Sequence, residues 1–561
     1  MFFSCQLSAE KTGDMVFKNY SLEIGSDSIA VFLGDKRYAV LRIGTAVNGV
    51  EEKDIDEPLS PPEVRSDVNG TDMIWRTRSS LWERKSYHWH FEDDLFWCRV
   101  SVEGRNALGE LHYLDDGRMQ SHYDFSRFFT PECTLLDQRY FQSMQYTSPD
   151  APMDSLTHLL QPPGGCWLFI PRPFCYCLGF SSGPWLVAGI APEKGEYNFS
   201  RFSYESGANS FRFRINYDGM TGVDGEWSLP KLLFKPVETE YEGIRSYCDT
   251  LRDWKLVDEN THPRAEWWSR PMFCGWGEQH ILSIRSENAL PNSDFAAQQV
   301  YDSFIDIIRD KRLNPGTIVI DDKWQKQYGT LEVDTEKWPD LRGWIDARHS
   351  EDRRVLLWLG ASNPEGLPED ECIKDAQGRV KFPDPTNPAY QQRLRSILHR
   401  MLSSDPGCYN ADGIKLDWLF IPTEKGSKLH GGIWGVELFK LLVRQIFEAA
   451  KQEKPDALVI SHTANPYFAE CVDMLRLNDI TDRSREIVSM MAHRHKIALA
   501  ACPNVLIDCD NSCAPTHTEW MEYMKTQPSL GVPSCYFLTA VDGTMEPITD
   551  RDWEELAHIW R

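Results

Sequence analysis

Eight short apolar stretches alternate with helical patterns through the C-terminal half of the chain, and this alternation constrains the fold more than any other feature. The stretches are aliphatic and rich in β-branched residues, as expected of parallel strands buried on both faces. They span residues 272–276, 317–322, 354–361, 413–420, 457–463, 474–480, 498–507 and 534–541. Helical spacing of apolar residues occurs at 295–313, 388–403, 435–452, 482–497, 518–526 and 552–560. The pattern predicts a (β/α)8 TIM barrel. An open doubly wound sheet is the alternative, although no GxGxxG or GxxxxGK[ST] motif follows an early strand.

The N-terminal half consists of short runs in which apolar and polar residues alternate. Examples are SIAVFLG at 28–34 and FRFRINYDG at 211–219, and turn-forming pairs such as Asn69-Gly70 separate the runs. Many short strands with regular turns predict a large β-sandwich. A polar, proline-containing segment near 255–270 is typical of a linker, so we expect a sandwich over 1–255 and a barrel over 265–561. No C-terminal β-domain is evident after the last predicted helix.

Acidic residues outnumber basic ones by 84 to 60, which gives a net charge of −24. Neither nucleic acid nor an anionic membrane is expected as a partner, because both require a basic surface. No apolar run reaches the roughly 18 residues of a membrane-spanning helix, and the N-terminus lacks the pattern of a secretory signal. The 15 cysteines are scattered without CxxC pairs, which indicates reduced thiols in a cytoplasmic protein. No metal-ligand constellation is found and no cofactor is expected.

Catalytic side chains of a (β/α)8 barrel project from the carboxyl ends of the strands, so the strand assignments predict the site. Asp417 lies in GIKLDW on the fourth strand, where alternation places Lys415 and Asp417 on one face. A carboxylate in such an apolar strand is costly unless it is paired or functional. We therefore interpret Asp417 as a nucleophile that a nearby cation keeps ionised. A buried Lys415–Asp417 ion pair is the structural alternative.

Asp479 lies at the end of the sixth strand, where its carboxyl can face Asp417 across the barrel mouth. A retaining glycosidase needs two carboxyl groups about 5–5.5 Å apart, one as nucleophile and one as acid/base. Asp479 could instead cap the following helix, although Asp482 is the stronger candidate for that cap. Asp482 is also the second candidate for the acid/base.

Further candidates for sugar binding lie at other strand ends. The pair Asp321-Asp322 could accept hydrogen bonds from two neighbouring sugar hydroxyls, or form a capped turn. His462 is either a hydroxyl ligand or a structural histidine. Asp508 and Asp510, after the seventh strand, could line the rim of the site, without a role that the sequence defines. Aromatic side chains near strand ends can stack on sugar rings, and those near this site are Trp276, Trp324 and Trp358.

Four of these segments resemble strand motifs of glycoside hydrolase clan D, families 36 and 27, which include the α-galactosidases. PMFCGWGE is similar to the first-strand motif, VIDDKWQ to the second, GIKLDW to the fourth and RLNDITD to the sixth. The resemblance covers roughly 265–561 and implies a retaining α-glycosidase with Asp417 as nucleophile and Asp479 as acid/base. It also implies that the terminal sugar is held by Asp321, Asp322, Lys415 and Arg476, with Trp276 nearby.

The predicted function is hydrolysis of a terminal α-linked sugar through a covalent glycosyl-enzyme intermediate, with a carbohydrate as the partner. The sugar is left open, because the loop SHTANPYF after the fifth strand departs from the Cys- and Gly-rich pattern common in family 36. A transglycosidase of the raffinose-synthase type would use the same residues. A catalytically silent carbohydrate-binding protein would instead have Asp417 and Asp479 well beyond about 10 Å apart, or salt-bridged away from the cleft. Clan relatives often form oligomers, so a homo-oligomer is a further expectation.

Overall fold

The computed structural model describes residues 13–131, 133–137, 171–180, 182–207, 209–420, 425–480 and 487–560, with only the backbone described at 13, 133–137 and 207. An antiparallel sheet comes first along the chain and a barrel of parallel strands follows it. No helix within the described ranges is long and apolar enough to cross a membrane.

In the described part of the N-terminal half, seventeen antiparallel strands form one sheet. Its two longest strands, Phe96–Tyr113 and Ser210–Ser228, pair with each other along most of their length. In the strand Arg84–Phe91 every second side chain is buried, as the alternating sequence pattern predicts. The predicted β-sandwich is therefore confirmed. The strands are Gly13–Val16, Ser21–Ile24, Ser28–Leu33, Lys36–Arg42, Ala46–Gly49, Glu63–Asp67, Gly70–Thr77, Arg84–Phe91, Phe96–Tyr113, Ser121–Tyr123, Arg127–Thr130, Cys133–Asp137, Cys175–Gly179, Trp185–Ala191, Arg201–Gly207, Ser210–Ser228 and Lys231–Val237.

The helix Glu240–Asp253 follows the sheet and packs against both the sheet and the barrel. Its Tyr247 hydroxyl donates to the carbonyl of Ile190 in the sheet at 2.5 Å. On its other side, Tyr241 forms a 2.9 Å hydrogen bond with Nδ1 of His493 in a barrel helix. The predicted division into a sandwich over 1–255 and a barrel over 265–561 stays a prediction.

The C-terminal half forms a barrel of eight parallel strands. The last strand pairs with the first, and Asp508 forms a parallel bridge to Val532 beside the last strand, so the sheet closes on itself. Closure confirms the TIM barrel and excludes an open doubly wound sheet. Numbered 1 to 8 in chain order, the barrel strands are Met272–Cys274, Thr317–Ile320, Arg354–Gly360, Gly413–Asp417, Leu458–Ser461, Met474–Arg476, Leu506–Asp508 and Ser534–Cys535. The α-helices of this half are Trp276–Arg285, Gln298–Asp310, Leu341–Ser350, Pro388–Leu402, Gly435–Glu453, Ile487–Ala501, His517–Leu530 and Asp550–Ile559. Shorter elements are the 3-10 helices Glu266–Ser269, Asn292–Phe295, Glu369–Glu371 and Pro466–Cys471, and the strands Cys372–Lys374 and Val380–Pro383.

The seventh predicted strand, 498–507, is wrong in its first half. The helix Ile487–Ala501 runs through the sequence ALAA, and only Leu506–Asp508 forms the strand. Alanine has the highest helix propensity of all residues, and Pro503 comes just after the helix ends. The apolar run therefore belongs to two elements, which periodicity alone does not separate.

The connection between strands 5 and 6 contains a single 3-10 helix, Pro466–Cys471, and this connection contacts loops of the N-terminal half. The Asn465 side chain donates to the carbonyl of Arg172 at 2.6 Å. The ring of Tyr467 stacks on Tyr197 with ring centroids 3.6 Å apart. Residues of the N-terminal half thus support the barrel loop that follows strand 5.

Candidate active site

Asp417 ends strand 4 at the mouth of the barrel. Its Oδ1 accepts a hydrogen bond from the backbone N–H of Trp418 at 2.9 Å, and its Oδ2 accepts one from the indole N–H of Trp358 at 3.2 Å. Nη1 of Arg476 also lies 3.2 Å from Oδ2. About a fifth of the Asp417 side chain (19%) is exposed, so the carboxylate is both held in place and accessible.

Arg476, at the end of strand 6, joins Asp417 to Asp479. Its Nη2 lies 2.7 Å from Oδ1 of Asp479, whose side chain is 23% exposed. The guanidinium is a rigid planar group, so the two carboxylate oxygens that it contacts are at most about 8 Å apart. The structure therefore brings together the two carboxyl groups that the sequence predicts as a pair.

A third carboxylate, Asp510, binds the same guanidinium from behind. Its Oδ2 lies 2.8 Å from Nε and 2.8 Å from Nη2 of Arg476, and its Oδ1 accepts from the backbone N–H of Ser512 at 3.2 Å. The Asp510 side chain is fully buried. Asp417, Asp479 and Asp510 thus share a single cation that is itself only 1% exposed.

The two accessible carboxyl groups of this cluster differ in acidity. Burial alone would raise the pKa of Asp417, but the positive charges of Arg476 and Lys415 outweigh it and hold that pKa well below its ordinary value. For Asp479, burial and the negative charges of Asp510 and Asp417 raise the pKa to about 6, although Arg476 opposes this. Below pH 6, Asp417 is therefore ionised while Asp479 mostly carries a proton.

Lys415 points into the barrel mouth but does not pair with Asp417. Its Nζ lies 2.7 Å from Oδ2 of Asp321 and 3.5 Å from Sγ of Cys274 in strand 1. Burial alone would lower the pKa of Lys415, but Asp321 raises it, so the ammonium stays charged. The alternative of a Lys415–Asp417 ion pair is wrong, because Asp321 binds Lys415 and Arg476 takes the place beside Asp417.

The two aspartates after strand 2 have different surroundings. Both oxygens of Asp321 are engaged, Oδ2 by Lys415 and Oδ1 by the backbone N–H of Asp322 at 2.9 Å. In Asp322, Oδ2 accepts from the Tyr328 hydroxyl at 3.2 Å, and Oδ1 is buried without a hydrogen-bond partner among the described residues. Burial and the neighbouring Asp321 raise the pKa of Asp322 to about 7. Asp322 therefore has a buried oxygen that can still accept a hydrogen bond.

The three predicted tryptophans have three different environments. Trp358 contacts the strand 4 carboxylate and packs edge to face on Trp418, with ring centroids 5.0 Å apart. Trp324 is fully buried, and its indole N–H donates to the Trp358 carbonyl at 2.9 Å. The prediction that Trp324 binds substrate is wrong, because its ring turns into the core and supports Trp358. Trp276 is partly buried, at the start of a helix.

His462 follows strand 5 and lies almost fully buried within electrostatic reach of Asp417 and Arg476. Burial lowers its pKa to about 4, so the imidazole is neutral at physiological pH. Its Nδ1 is buried without a hydrogen-bond partner in the described part of the chain. A neutral imidazole can donate or accept a hydrogen bond, so His462 suits a hydroxyl ligand.

Aromatic side chains that the sequence did not single out line the site beside Asp417. Tyr328 packs on Trp418 with ring centroids 4.6 Å apart, and Tyr536 lies under Lys415, whose Nζ is 5.2 Å from the ring centroid. Gly360 makes room for this packing, since a Cβ there would come within 2.6 Å of the Trp358 ring. Trp418 was detectable as the neighbour of Asp417. Tyr536 lies within the predicted eighth strand, 534–541, although its side chain was not singled out, and Tyr328 lies outside the strands and had no sequence signal.

Three non-glycine residues of the site have positive φ angles. They are Trp418 at 48°, Asn478 at 69° and Asp510 at 40°. Such backbone is costly for residues with a Cβ and clusters at functional sites. Each lies at, or directly next to, one of the three carboxylates that share Arg476, so the chain bends at all three.

Two further predictions concern the second candidate for the acid/base and the binding of a metal ion. Asp482, the second candidate for the acid/base, lies outside the described residues. Within the described ranges, no group of three or more His, Cys, Asp or Glu side chains has an arrangement that could hold a metal ion.

No protein-family model matches the chain, and no curated protein matches its sequence. Solved structures match it in fold. The α-N-acetylgalactosaminidase NagBb from Bifidobacterium bifidum, in complex with GalNAc, matches over 98% of this chain and 93% of its own, with a TM-score of 0.61 and 8% identity. A GH31 family sulfoquinovosidase from E. rectale matches over 96% and 82%, with a TM-score of 0.59 and 10% identity. The GH36 α-galactosidase AgaB from Geobacillus stearothermophilus matches over 97% and 83%, with a TM-score of 0.53 and 11% identity. Matches at this identity show the fold, and the fold expected from the family 36 motifs is confirmed: the chain has the architecture of these α-glycosidases.

Proposed function

We propose that the protein is a retaining α-glycosidase that acts on a terminal α-linked sugar. The observation that carries this proposal is the pair Asp417 and Asp479, two accessible carboxyl groups held by one guanidinium and shifted in opposite directions in pKa. Paired carboxyls with separated pKa values are the arrangement that glycoside hydrolysis requires. Their distance of at most about 8 Å and their exposure speak against a silent binding protein.

In the first step, an oxygen of ionised Asp417 attacks the anomeric carbon. A bond forms between this carbon and the Asp417 oxygen while the bond to the leaving-group oxygen breaks. The proton of Asp479 passes to that leaving oxygen, so the aglycone departs as a neutral alcohol. The low pKa of Asp417 suits the nucleophile, and the raised pKa of Asp479 suits the acid.

In the second step, ionised Asp479 takes a proton from a water molecule that attacks the anomeric carbon. The ester bond to Asp417 breaks and the sugar leaves with its original α configuration. Arg476 contacts both carboxyl groups throughout, so it stabilises whichever of them carries the negative charge.

The sugar is held by residues around Asp417. Asp322 and His462 each present a buried polar atom without a hydrogen-bond partner among the described residues, and both suit sugar hydroxyls. We assign Asp321 and Lys415 to the floor of the sugar site and Trp276 to its aromatic wall, while Trp358, only 1% exposed, holds Asp417 through its indole N–H. The solved structures of this fold include an α-galactosidase, an α-N-acetylgalactosaminidase and a sulfoquinovosidase, so the fold does not choose the sugar.

The test is a panel of aryl α-glycosides, with galactose, glucose, N-acetylgalactosamine and arabinose among the sugars. We expect turnover of at least one, with an α-configured first product in proton NMR, and loss of turnover in Asp417→Asn. The matched control is Asp306→Asn, which removes an exposed carboxyl on an outer barrel helix. A β-configured first product would refute the retaining mechanism, and full activity of Asp417→Asn would refute the assignment of the nucleophile. An added acceptor sugar would show whether the intermediate passes to water or to a sugar hydroxyl.

A further inference from the structure

Asp510 contacts the guanidinium that serves both reactive carboxyls, but it does not touch a substrate, because both of its oxygens are bonded to protein groups and its side chain is fully buried. It binds the Nε–Nη2 edge of Arg476, with both nitrogens 2.8 Å from one carboxylate oxygen. Its other oxygen is held by the backbone N–H of Ser512. The carboxylate therefore has a fixed orientation before any ligand binds.

A guanidinium has five N–H bonds in one plane, so fixing one edge determines where the others point. With the Nε–Nη2 edge on Asp510, the second N–H of Nη2 points to Asp479 at 2.7 Å and Nη1 lies 3.2 Å from Asp417. Without Asp510, Arg476 could rotate about its side-chain bonds towards Asp479, its nearer partner at 2.7 Å, at the expense of Asp417 at 3.2 Å.

We propose that Asp510 is a positioning residue, which orients Arg476 so that Asp417 and Asp479 share one cation. This inference rests on the proposed function for its catalytic meaning. The motif resemblance assigns no role to any residue of strand 7 or of the segment that follows it. The positive φ of Asp510, at 40°, shows that the backbone bends to place this carboxylate behind Arg476.

Asp510 also acts on the acidity of Asp479 in two ways with the same sign. Its own negative charge raises the pKa of Asp479, and it draws part of the Arg476 charge to itself. Neutralising Asp510 therefore lowers the pKa of Asp479. The charged and titratable groups that face Asp479 in the described residues are Arg476 from strand 6, Asp510 and Cys513 from the segment after strand 7, and Asp417 and Lys415 from strand 4. Arg494 of the helix Ile487–Ala501 also donates from Nη1 to the Asp479 carbonyl at 2.9 Å.

The experiment is a carboxyl titration by infrared difference spectroscopy, in which the band of Asp479 is identified by its loss in Asp479→Asn. In Asp510→Asn we expect the midpoint of Asp479 to fall by roughly one pH unit. The matched control is Asp508→Asn, which removes another buried carboxyl two residues away without a contact to Arg476. In this control the midpoint should stay near that of the unmodified protein.

Turnover gives a second readout. Asp510→Asn should lower kcat at least about tenfold for an aryl glycoside with a poor leaving group, which needs the proton of Asp479. It should change kcat little for an activated leaving group such as dinitrophenol, and general damage to the site would lower both. If the unmodified protein cleaves no glycoside, the proposed function fails, while the titration still decides the role of Asp510.

An unchanged midpoint of Asp479 in Asp510→Asn would overturn the proposal. Should this variant fail to fold, the same titration is made on Asp510→Ser, in which water has room to hydrate the guanidinium. A downward shift there supports the proposal. Loss of folding in both variants would assign Asp510 a purely structural role and would also overturn it.

Discussion

Replacing Arg476 by methionine removes the cation that Asp417, Asp479 and Asp510 share. Removing one partner of a buried ion pair typically costs about 3–5 kcal/mol, because the remaining charge has lost its counterion. Here three carboxylates lose the same partner, so we expect the free energy of unfolding to fall by about 5 kcal/mol at pH 8.

The loss should become smaller as the pH falls. Without Arg476, burial raises the pKa of the three carboxyls above that in the unfolded chain. A carboxyl with a folded-state pKa above its unfolded-state value destabilises the fold only above the unfolded-state value of about 4. Between its two pKa values, each such group adds about 1.4 kcal/mol of destabilisation per pH unit. Near pH 4.5 most of the penalty should therefore be absent.

Thermal unfolding followed by circular dichroism at pH 4.5 and pH 8 measures this difference. We expect Tm to fall by roughly 10 °C at pH 8 and by only a few degrees at pH 4.5. Arg309→Met is the control, since Arg309 pairs with Asp306 on an exposed helix face and its loss should cost less than about 1 kcal/mol at either pH. Equal losses of Tm at the two pH values in Arg476→Met, or none at pH 8, would refute the reasoning.

Two kinetic predictions concern the carboxyl groups of the site. The rate constant kcat/KM should fall on the basic side with a midpoint near pH 6, because Asp479, whose pKa burial raises to about 6, must keep its proton to act as the acid. On the acid side the rate should hold to below pH 4, and a pH profile that is level at pH 8 would contradict the assignment of Asp479. Asp322→Ala should lower kcat/KM by about tenfold, the loss expected for one hydrogen bond to a carboxyl that is mostly protonated in the active pH range, whereas Tyr328→Phe should lower it less. A series of deoxy sugars measures this, since the analogue that lacks the bound hydroxyl should be insensitive to Asp322→Ala.

The position of Asp417 could be predicted because two independent rules agree on it. Alternation within GIKLDW sets the face of the strand, and the count of apolar runs places that strand fourth in the barrel. Asp479 follows from the same count. Both rules use only the order of residues along the chain, and the observed barrel has the eight strands that they predict.

The partners of these carboxyls could not be predicted in the same way. Alternation places Lys415 beside Asp417 in sequence, but the barrel brings Asp321 from strand 2 closer to Lys415 and Arg476 from strand 6 closer to Asp417. These are contacts across the barrel mouth, and they depend on side-chain lengths and strand tilt, which periodicity does not contain. The contact of Asp510 with Arg476 could not be predicted for the same reason. It forms only because strand 7 pairs with strand 6 in the barrel.

The bond between Asn465 and the Arg172 carbonyl has a consequence for how this protein can be altered. The loop that carries His462 contains no α-helix and packs against the N-terminal half. Under the proposed function, we therefore expect preference for one sugar over another to be shaped partly by a residue 293 positions earlier in the chain. Exchanging the β-sandwich for that of a related enzyme would change the shape of the sugar pocket, and a barrel expressed alone would lose the support of this loop. Under the proposed function, the sandwich would thus contribute to substrate recognition as well as to packing.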